Sequence, residues 1–118
     1  MSQRTERVGD LIWRELATLI VSRVQDPRVR LATVSHVRVT PDLRRAMIRI
    51  SILGDDEQRR AGLEGLQNAR GFLRSALARR LRTLKVVPEL VFELDRGAEY
   101  SRNIEDLLES LHDKNQSS

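Results

Sequence analysis

Two adjacent runs of β-type sequence, residues 30–40 and 44–52, most strongly limit how this chain can fold. In the second run, apolar residues alternate with polar or larger ones from Arg45 to Ile52, which predicts a strand with one buried and one solvated face. The residues 41–43 between the runs, Pro-Asp-Leu, form a connection short enough for a β-hairpin. A sheet with helices on one face would bury this apolar side, so the fold is predicted to be α+β.

The first run does not alternate without interruption. Val37 and Val39 share one face of the predicted strand, whereas Val34 falls on the other face. A β-bulge between them would reconcile the two halves, although the sequence does not give its position.

Helical spacing of apolar residues is found before and after the hairpin. A long first helix is predicted to end near Gln25, where an Asp-Pro pair follows. A second helical region starts near Asp56, after acidic residues that complement the helix dipole, and runs to about Lys85. It is interrupted over 68–71, and Pro88 ends it.

A strand over 88–95 and a short C-terminal helix over 104–111 complete the predicted elements. The order is α-β-β-α-α-β followed by the short helix, with one three-stranded sheet and helices packed on one face. The prediction is a single domain over residues 1–112 with a disordered tail over 113–118.

The side-chain inventory argues against several kinds of chemistry. The chain has no cysteine, which excludes disulfides, thiolate zinc sites and cysteine nucleophiles. Its two histidines, His36 and His112, are far apart, and no nucleophile-elbow, metal-ligand or Gly-rich phosphate-loop pattern is present. We therefore expect no enzymatic activity, no cofactor and no metal. A small enzyme remains an alternative, which a hydrolase or nuclease screen with and without divalent metal would test.

The apolar residues at the start of the chain are interleaved with charged ones, which does not fit a signal peptide. No apolar run approaches the roughly 20 residues that a membrane span needs. The sequence therefore predicts a cytoplasmic protein with no membrane partner.

Charge is distributed unevenly along the 118 residues. The net charge is +4, but residues 1–88 have a balance of +9 and residues 89–118 a balance of −5. A basic body with an acidic C-terminal end favours a polyanionic partner for the body.

The segment 65–88 contains no acidic residue and six basic ones: Arg70, Arg74, Arg79, Arg80, Arg82 and Lys85. At about 100° per residue, the leucines of the predicted helix share one side with Arg80. The opposite side carries Arg74, Ser75, Ala78, Arg79, Arg82 and Lys85. Basic side chains on one face repel each other unless an anion lies nearby, so contact with a phosphate backbone is predicted.

The triplet Ala69-Arg70-Gly71 lies at the interruption of the helical region. A glycine inside a helix costs roughly 1 kcal/mol relative to alanine. Small residues here would let the chain kink and let nucleic acid approach the backbone. The second helix would then present its N-terminal amides to phosphate beside Arg70 and Arg74. The alternative is a single helix that merely tolerates Gly71.

The hairpin offers weaker candidates for RNA contact, Arg44 and Arg45. The predicted open face of the sheet has no aromatic residue, whereas base stacking on a sheet needs aromatic platforms. Recognition is therefore predicted to use backbone charge and shape, with little base stacking.

Five segments match a known family in order and spacing: RVGDLIWREL, DPRV, VSHVRVTPDLRRAMIRIS, ARGFLR and VPELVFELD. In them the chain resembles the bacterial ribosome-binding factor A family. The resemblance implies a type II KH-like fold in which an interhelical Ala-x-Gly kink, here Ala69-Arg70-Gly71, replaces the usual Gly-x-x-Gly loop.

The same resemblance implies a non-enzymatic assembly factor that binds the small ribosomal subunit and its rRNA during late maturation. It also implies support of rRNA 5′-end processing, a part in cold adaptation and cooperation with assembly GTPases. The chain is expected to act as a monomer. The expected RNA-binding residues are Ala69, Arg70, Gly71, Arg74, Ser75, Arg79, Arg82, Lys85, Arg44 and Arg45.

A DNA-binding module is the other alternative, because two helices joined near Gly71 resemble a helix-turn-helix. That motif needs base-reading side chains at the start of its second helix, where this chain offers mainly Arg74 and Ser75. A gel shift on duplex DNA would discriminate between a DNA-binding module and an RNA-binding assembly factor.

Overall fold

The structure is a computed structural model, and it describes residues 3–95. Its main elements are α1 (Gln3–Arg23), β1 (Ala32–Val39), β2 (Arg45–Ile52), α2 (Asp56–Asn68), α3 (Arg70–Arg80) and β3 (Glu89–Leu94). This order confirms the predicted α-β-β-α-α-β arrangement. The C-terminal helix predicted over 104–111 and the tail predicted over 113–118 lie outside the described residues, so the domain boundary stays a prediction.

The three strands form one sheet in the order β1-β2-β3. The first two are antiparallel, as the predicted hairpin requires, and β2 and β3 are parallel. The bulge in β1 lies at Ser35, because Val34 pairs with Ile50 while His36 pairs with Arg49. The extra residue brings the out-of-phase valines of β1 to the same side of the sheet.

One face of the sheet forms the core together with the helices. Its fully buried side chains include Ile12, Leu16, Leu19, Ile48, Ile50, Leu66, Leu73, Leu77 and Leu90. The core is mostly aliphatic. Among the described aromatic residues Phe92 is buried, whereas Trp13 and Phe72 are about half exposed. The other face of the sheet faces solvent.

Helix α2 begins where the acidic residues predicted it. Asp55 and Gln58 form a capping box, in which each side chain accepts the other residue's backbone amide at 2.8 Å. Farther along, Gly62 lets α2 approach the turn that follows α1. A Cβ at this position would lie 2.8 Å from Ile52 Cδ1 and 3.0 Å from the carbonyl oxygen of Arg28.

Helix α3 ends at Arg80, so the prediction of helix to about Lys85 is wrong. Leu81 leaves the helical conformation with φ −106° and ψ 62°, and residues 82–88 connect α3 to β3. Arg82 and Lys85 therefore lie on this connection and not on the outer side of the helix.

The prediction of a longer helix rested on the spacing of the leucines. Leu81 is buried and Leu84 is half-buried, as that spacing suggests, but neither residue is helical. Two physical features end the helix early. The stretch contains three β-branched residues, Thr83, Val86 and Val87, which disfavour helix. The chain must also turn back to enter a strand parallel to β2.

Candidate nucleic-acid interface

A single residue, Ala69, separates α2 from α3, so the break is shorter than the predicted interruption over 68–71. Its amide donates to the Gly65 carbonyl at 3.1 Å, and its carbonyl accepts from the Leu73 amide at 2.9 Å. Gly71 lies in the first turn of α3 and not at the break itself. The kink at the Ala-x-Gly triplet is confirmed, and the alternative of one uninterrupted helix is wrong.

Gly71 has no structural need to be glycine. It is exposed, and a Cβ at this position would meet no described atom within 4 Å. Among the described residues, Gly54 is the glycine with a positive φ, so the backbone does not demand glycine at position 71. The helix backbone is therefore open at this position, and another molecule can approach it closely.

The outer surface of α3 has small side chains along its centre and arginines on both flanks. At about 100° per residue, the central line consists of Gly71, Ser75 and Ala78. Arg70 and Arg74 lie on one flank, and Arg79 lies on the other beside the half-exposed Phe72. An extended polyanion can therefore reach the helix backbone while basic side chains border it.

Four basic residues on and after α3 have no carboxylate within 4.0 Å in the described part of the chain: Arg70, Arg79, Arg82 and Lys85. All four are exposed. The contrasting case is Arg80, whose Nη1 lies 3.1 Å from Glu15 Oε2 of α1. This ion pair explains how Arg80 is accommodated on the side of the helix that carries the leucines.

Arg74 has a structural contact that the sequence did not reveal. Its Nε and Nη2 donate to the carbonyl oxygen of Val87 at 3.2 and 3.0 Å. Because Val87 is buried, these hydrogen bonds hold the connection 82–88 against α3. Replacing Arg74 would therefore disturb the connection as well as remove a charge.

A cleft of about 660 Å³ lies between the start of α1, the hairpin turn and the connection 82–88. We call it the basic cleft. It brings together three of the predicted residues, Arg44, Arg74 and Lys85, and adds Arg4 from α1. Sequence reasoning missed Arg4, although a basic residue in the first turn of a helix, where the dipole disfavours positive charge, was an available signal.

Asp42 lies in the hairpin turn between β1 and β2, and its side chain holds that turn together. Its Oδ1 accepts from the Thr40 hydroxyl at 2.7 Å and from the Arg44 amide at 3.1 Å. The hydrogen bond from Thr40, followed by the one from Arg44, lowers the pKa of the Asp42 carboxyl. Asp42 stabilises a turn in which Leu43 has a φ of 60°.

Arg45 does not join the other predicted residues, because it lies on the open face of the sheet. There its Nε is 4.0 Å from Glu89 Oε2, and Arg49 Nε is 3.4 Å from Glu93 Oε1. The parallel register of β2 and β3 places each arginine beside its acid. The open face therefore has less uncompensated positive charge than the outer surface of α3.

Within residues 3–95, no helix has both the length and the apolar character needed to cross a membrane. The same residues contain no group of three or more histidine or acidic side chains that could hold a metal ion.

A family model described as Ribosome-binding factor A matches residues 4–108. The chain belongs to the ribosome-binding factor A family. A family member from Roseiflexus sp. (strain RS-1) is 47% identical over 108 residues, which cover 92% of this chain and 83% of the relative. Another from Staphylococcus saprophyticus is 37% identical over 114 residues, 97% of this chain and 99% of the relative.

Solved structures agree with this assignment. The crystal structure of ribosome-binding factor A from Thermus thermophilus has a TM-score of 0.70 at 30% identity and covers 79% of this chain and 97% of its own. The solution structure of a Thermotoga maritima protein described as a putative ribosome binding factor A also has a TM-score of 0.70, at 33% identity. The match covers 82% of this chain and 92% of the Thermotoga maritima chain. The family resemblance and the α+β fold class are thereby confirmed.

A third comparison concerns a complex. A homology model of the Thermus thermophilus ribosome-binding factor A, fitted into a cryo-EM map of a 30S complex, has a TM-score of 0.61 at 32% identity. It covers 74% of this chain and 90% of the fitted one.

Proposed function

We propose that this chain is a ribosome assembly factor that binds the small ribosomal subunit, as a monomer in the cytoplasm, through the phosphates of its rRNA. The observation that carries this proposal is the set of unpaired basic residues around an open glycine on α3. Support also comes from the Thermus thermophilus relative that was fitted into a 30S complex.

The RNA strand is proposed to lie along the small side chains at the centre of α3. Gly71 and Ser75 allow the backbone of the strand to come close, and Arg70 and Arg79 border it on either side. Each phosphate neutralised by an arginine releases a condensed counterion, which makes binding favourable and dependent on salt. Ala69, Arg74, Arg82, Lys85 and Arg44 extend this surface from the kink to the basic cleft.

Arg45 is the weakest of the candidate RNA-binding residues. Its position on the open face of the sheet and its contact with Glu89 separate it from the surface formed by α3. Contacts of the remaining residues with phosphate fix position and orientation without reading the base sequence. The proposed mode of recognition is therefore the shape and charge of folded rRNA.

The finer roles are part of the same proposal, and what supports them is the resemblance to the family. We propose that the chain acts as a binding factor without catalysis, holds an immature rRNA arrangement during late maturation and supports rRNA 5′-end processing, with assembly GTPases as further partners. A part in cold adaptation belongs to the same proposal. Deletion of the gene, followed by growth in the cold and mapping of rRNA 5′ ends, should show small-subunit rRNA with an unprocessed 5′ end.

Cosedimentation of charge-reversed variants with purified small subunits tests the proposed surface. The variant Arg70→Glu, Arg79→Glu, Arg82→Glu leaves Arg74 intact because of the hydrogen bonds from Arg74 to Val87. Loss of three phosphate contacts should weaken association roughly a hundredfold or more at physiological salt. Thermal unfolding should be nearly unchanged, since all three side chains are exposed.

A matched control reverses the same number of charges elsewhere. Arg14, Arg38 and Arg60 are exposed and have no carboxylate within 4.0 Å among residues 3–95. Changing all three to glutamate should reduce association only a few-fold, through the lower net charge. If both variants bind equally well, the outer surface of α3 is not the interface.

A further inference from the structure

The basic cleft differs in character from the outer surface of α3, because aliphatic side chains line it beside the basic ones. Leu43 and Leu84 are half-buried and pack against the core, and Val86 is 73% exposed. The cleft's volume of about 660 Å³ falls in the range of small-molecule sites, roughly 300–1,000 Å³.

Four basic and two acidic side chains line the basic cleft, so its net charge is positive. Asp42 is engaged by Thr40 and by the backbone, and Glu89 lies 4.0 Å from Arg45 on the sheet side. Lys85 has no carboxylate within 4.0 Å in the described part of the chain, and the same holds for Arg4. A ligand that suits this cleft therefore has an anionic group next to an apolar or aromatic one.

Two sets of hydrogen bonds hold the wall of the basic cleft where the connection 82–88 enters β3. Arg74 donates to the carbonyl of Val87, and the Glu89 amide donates to the carbonyl of Arg44 at 2.8 Å. The second bond ties the connection to the hairpin turn. A site held in this way loses little entropy when a ligand enters, which favours binding.

The connection 82–88 also offers backbone amides that can donate hydrogen bonds to a ligand in the basic cleft. The amides of Thr83, Lys85 and Val86 donate to no acceptor within residues 3–95. Together with the hydroxyl of Thr83, they can hydrogen-bond the edge of a heterocyclic base that rests on aliphatic side chains.

We propose that the basic cleft accepts one nucleotide of the bound RNA, unstacked from its neighbours. Its phosphate lies at the basic side chains, and its base lies against Leu43 and Leu84. This inference rests on the proposed function and deepens it. Phosphate contacts along α3 do not define where a strand is placed lengthwise, whereas an inserted base fixes the register. The stacking role that the open sheet face lacks is taken by aliphatic side chains at a different place.

NMR titration of the isotope-labelled full chain tests the cleft directly. The probes are the four nucleoside 5′-monophosphates, ribose 5-phosphate and inorganic phosphate. We expect the monophosphates to shift the amide signals of Leu43 and residues 83–86. They should bind about fivefold or more tightly than ribose 5-phosphate, because the base adds its own contacts. Equal binding of ribose 5-phosphate, or no shifts at these residues, would overturn the proposal.

Two exposed valines provide a matched pair of variants. Val86→Glu places an acid in the basic cleft, and Val21→Glu places one on α1 at a position that is 83% exposed. Val86→Glu should weaken mononucleotide binding about tenfold through charge repulsion, whereas Val21→Glu should leave it unchanged. Both should unfold at nearly the same temperature as wild type.

The same variants separate failure of this inference from failure of the proposed function. In one outcome, the variant with Arg70, Arg79 and Arg82 changed to glutamate no longer binds the small subunit, while Val86→Glu binds subunits and mononucleotides as well as Val21→Glu does. The basic cleft then accepts no nucleotide, and the proposed function stands. If the variant with the three arginines changed still binds the small subunit, the proposed function is wrong. This inference, which rests on the proposed function, is then wrong as well.

Discussion

The outer surface of α3 and the open face of the sheet both carry exposed arginines, but they differ in what lies beside each one. On the sheet, Arg49 is 3.4 Å from Glu93, and Arg45 is 4.0 Å from Glu89. On α3, Arg70 and Arg79 have no carboxylate within 4.0 Å among residues 3–95. Both arginines of β2 therefore lie beside an acid, whereas these two arginines of α3 do not.

This difference follows from secondary structure. In parallel strands, neighbouring residues of the same face lie side by side, so β3 supplies an acid opposite each arginine of β2. On a helix, charge pairs need residues three or four apart, and the segment 65–88 contains no acid. The number of exposed arginines therefore does not identify a binding surface. What distinguishes α3 is that its unpaired arginines lie together around an open glycine, whereas Arg14, Arg38 and Arg60, which also have no carboxylate within 4.0 Å among residues 3–95, lie on three different elements.

The largest effect is expected from a pair of variants, each of which removes two positive charges from one of the two surfaces. Arg70→Gln with Arg79→Gln should weaken binding to small subunits roughly thirtyfold and lower the slope of log affinity against log salt by about 1.4, since each phosphate contact contributes about 0.7. Arg45→Gln with Arg49→Gln removes the same charge from the sheet. It should change affinity less than about threefold and leave the slope unchanged. Equal slopes for both variants would contradict the distinction.

The elements that local chemistry determines could be predicted from the sequence. The hairpin was visible in the alternation of β2 and its short connection, and the start of α2 in the acids at 55–57. The family segments pointed to the kink at Ala69, which the structure confirms. In these regions the propensity of the residues, the turn chemistry and the apolar pattern agree.

Features that depend on distant residues could not be predicted. The bulge required the pairing of β1 with β2 before Ser35 could be identified as the extra residue. The early end of α3 was hidden, because Leu81 and Leu84 keep helical spacing while the chain turns toward β3. Arg4 joins the basic cleft from a distant part of the sequence, and a pattern read along the chain does not contain that contact.

A pair of glycines extends the comparison from charge to shape. A Cβ at Gly62 would lie 2.8 Å from Ile52 Cδ1 and 3.0 Å from a carbonyl oxygen, so Gly62→Ala should lower the free energy of unfolding by about 1–3 kcal/mol. Gly71→Ala has open space and should be neutral or raise it by up to about 1 kcal/mol. Urea unfolding measures both values.

A larger side chain at the open glycine separates stability from binding. Gly71→Leu should keep wild-type stability and still weaken association with small subunits about tenfold or more, because the side chain blocks the approach of the RNA backbone. If Gly71→Leu binds subunits normally, the centre of α3 is not approached closely by RNA, whatever the arginines contribute.

The smallest effect concerns the hairpin turn beside the basic cleft, which the Asp42 side chain holds together. Hydrogen bonds from Thr40 and the Arg44 amide lower the pKa of the Asp42 carboxyl below its value in the unfolded chain, about 3.9. The contribution to stability is therefore complete above about pH 4 and is lost as the pH falls through the lower pKa of the folded state.

Urea unfolding at several pH values checks this. The stability advantage of wild type over Asp42→Asn should be constant from about pH 5 to pH 7 and shrink below about pH 4. Thr40→Ser, which keeps the hydroxyl, should retain the pH dependence of wild type. An advantage that does not change with pH would mean that the turn does not hold the Asp42 carboxylate.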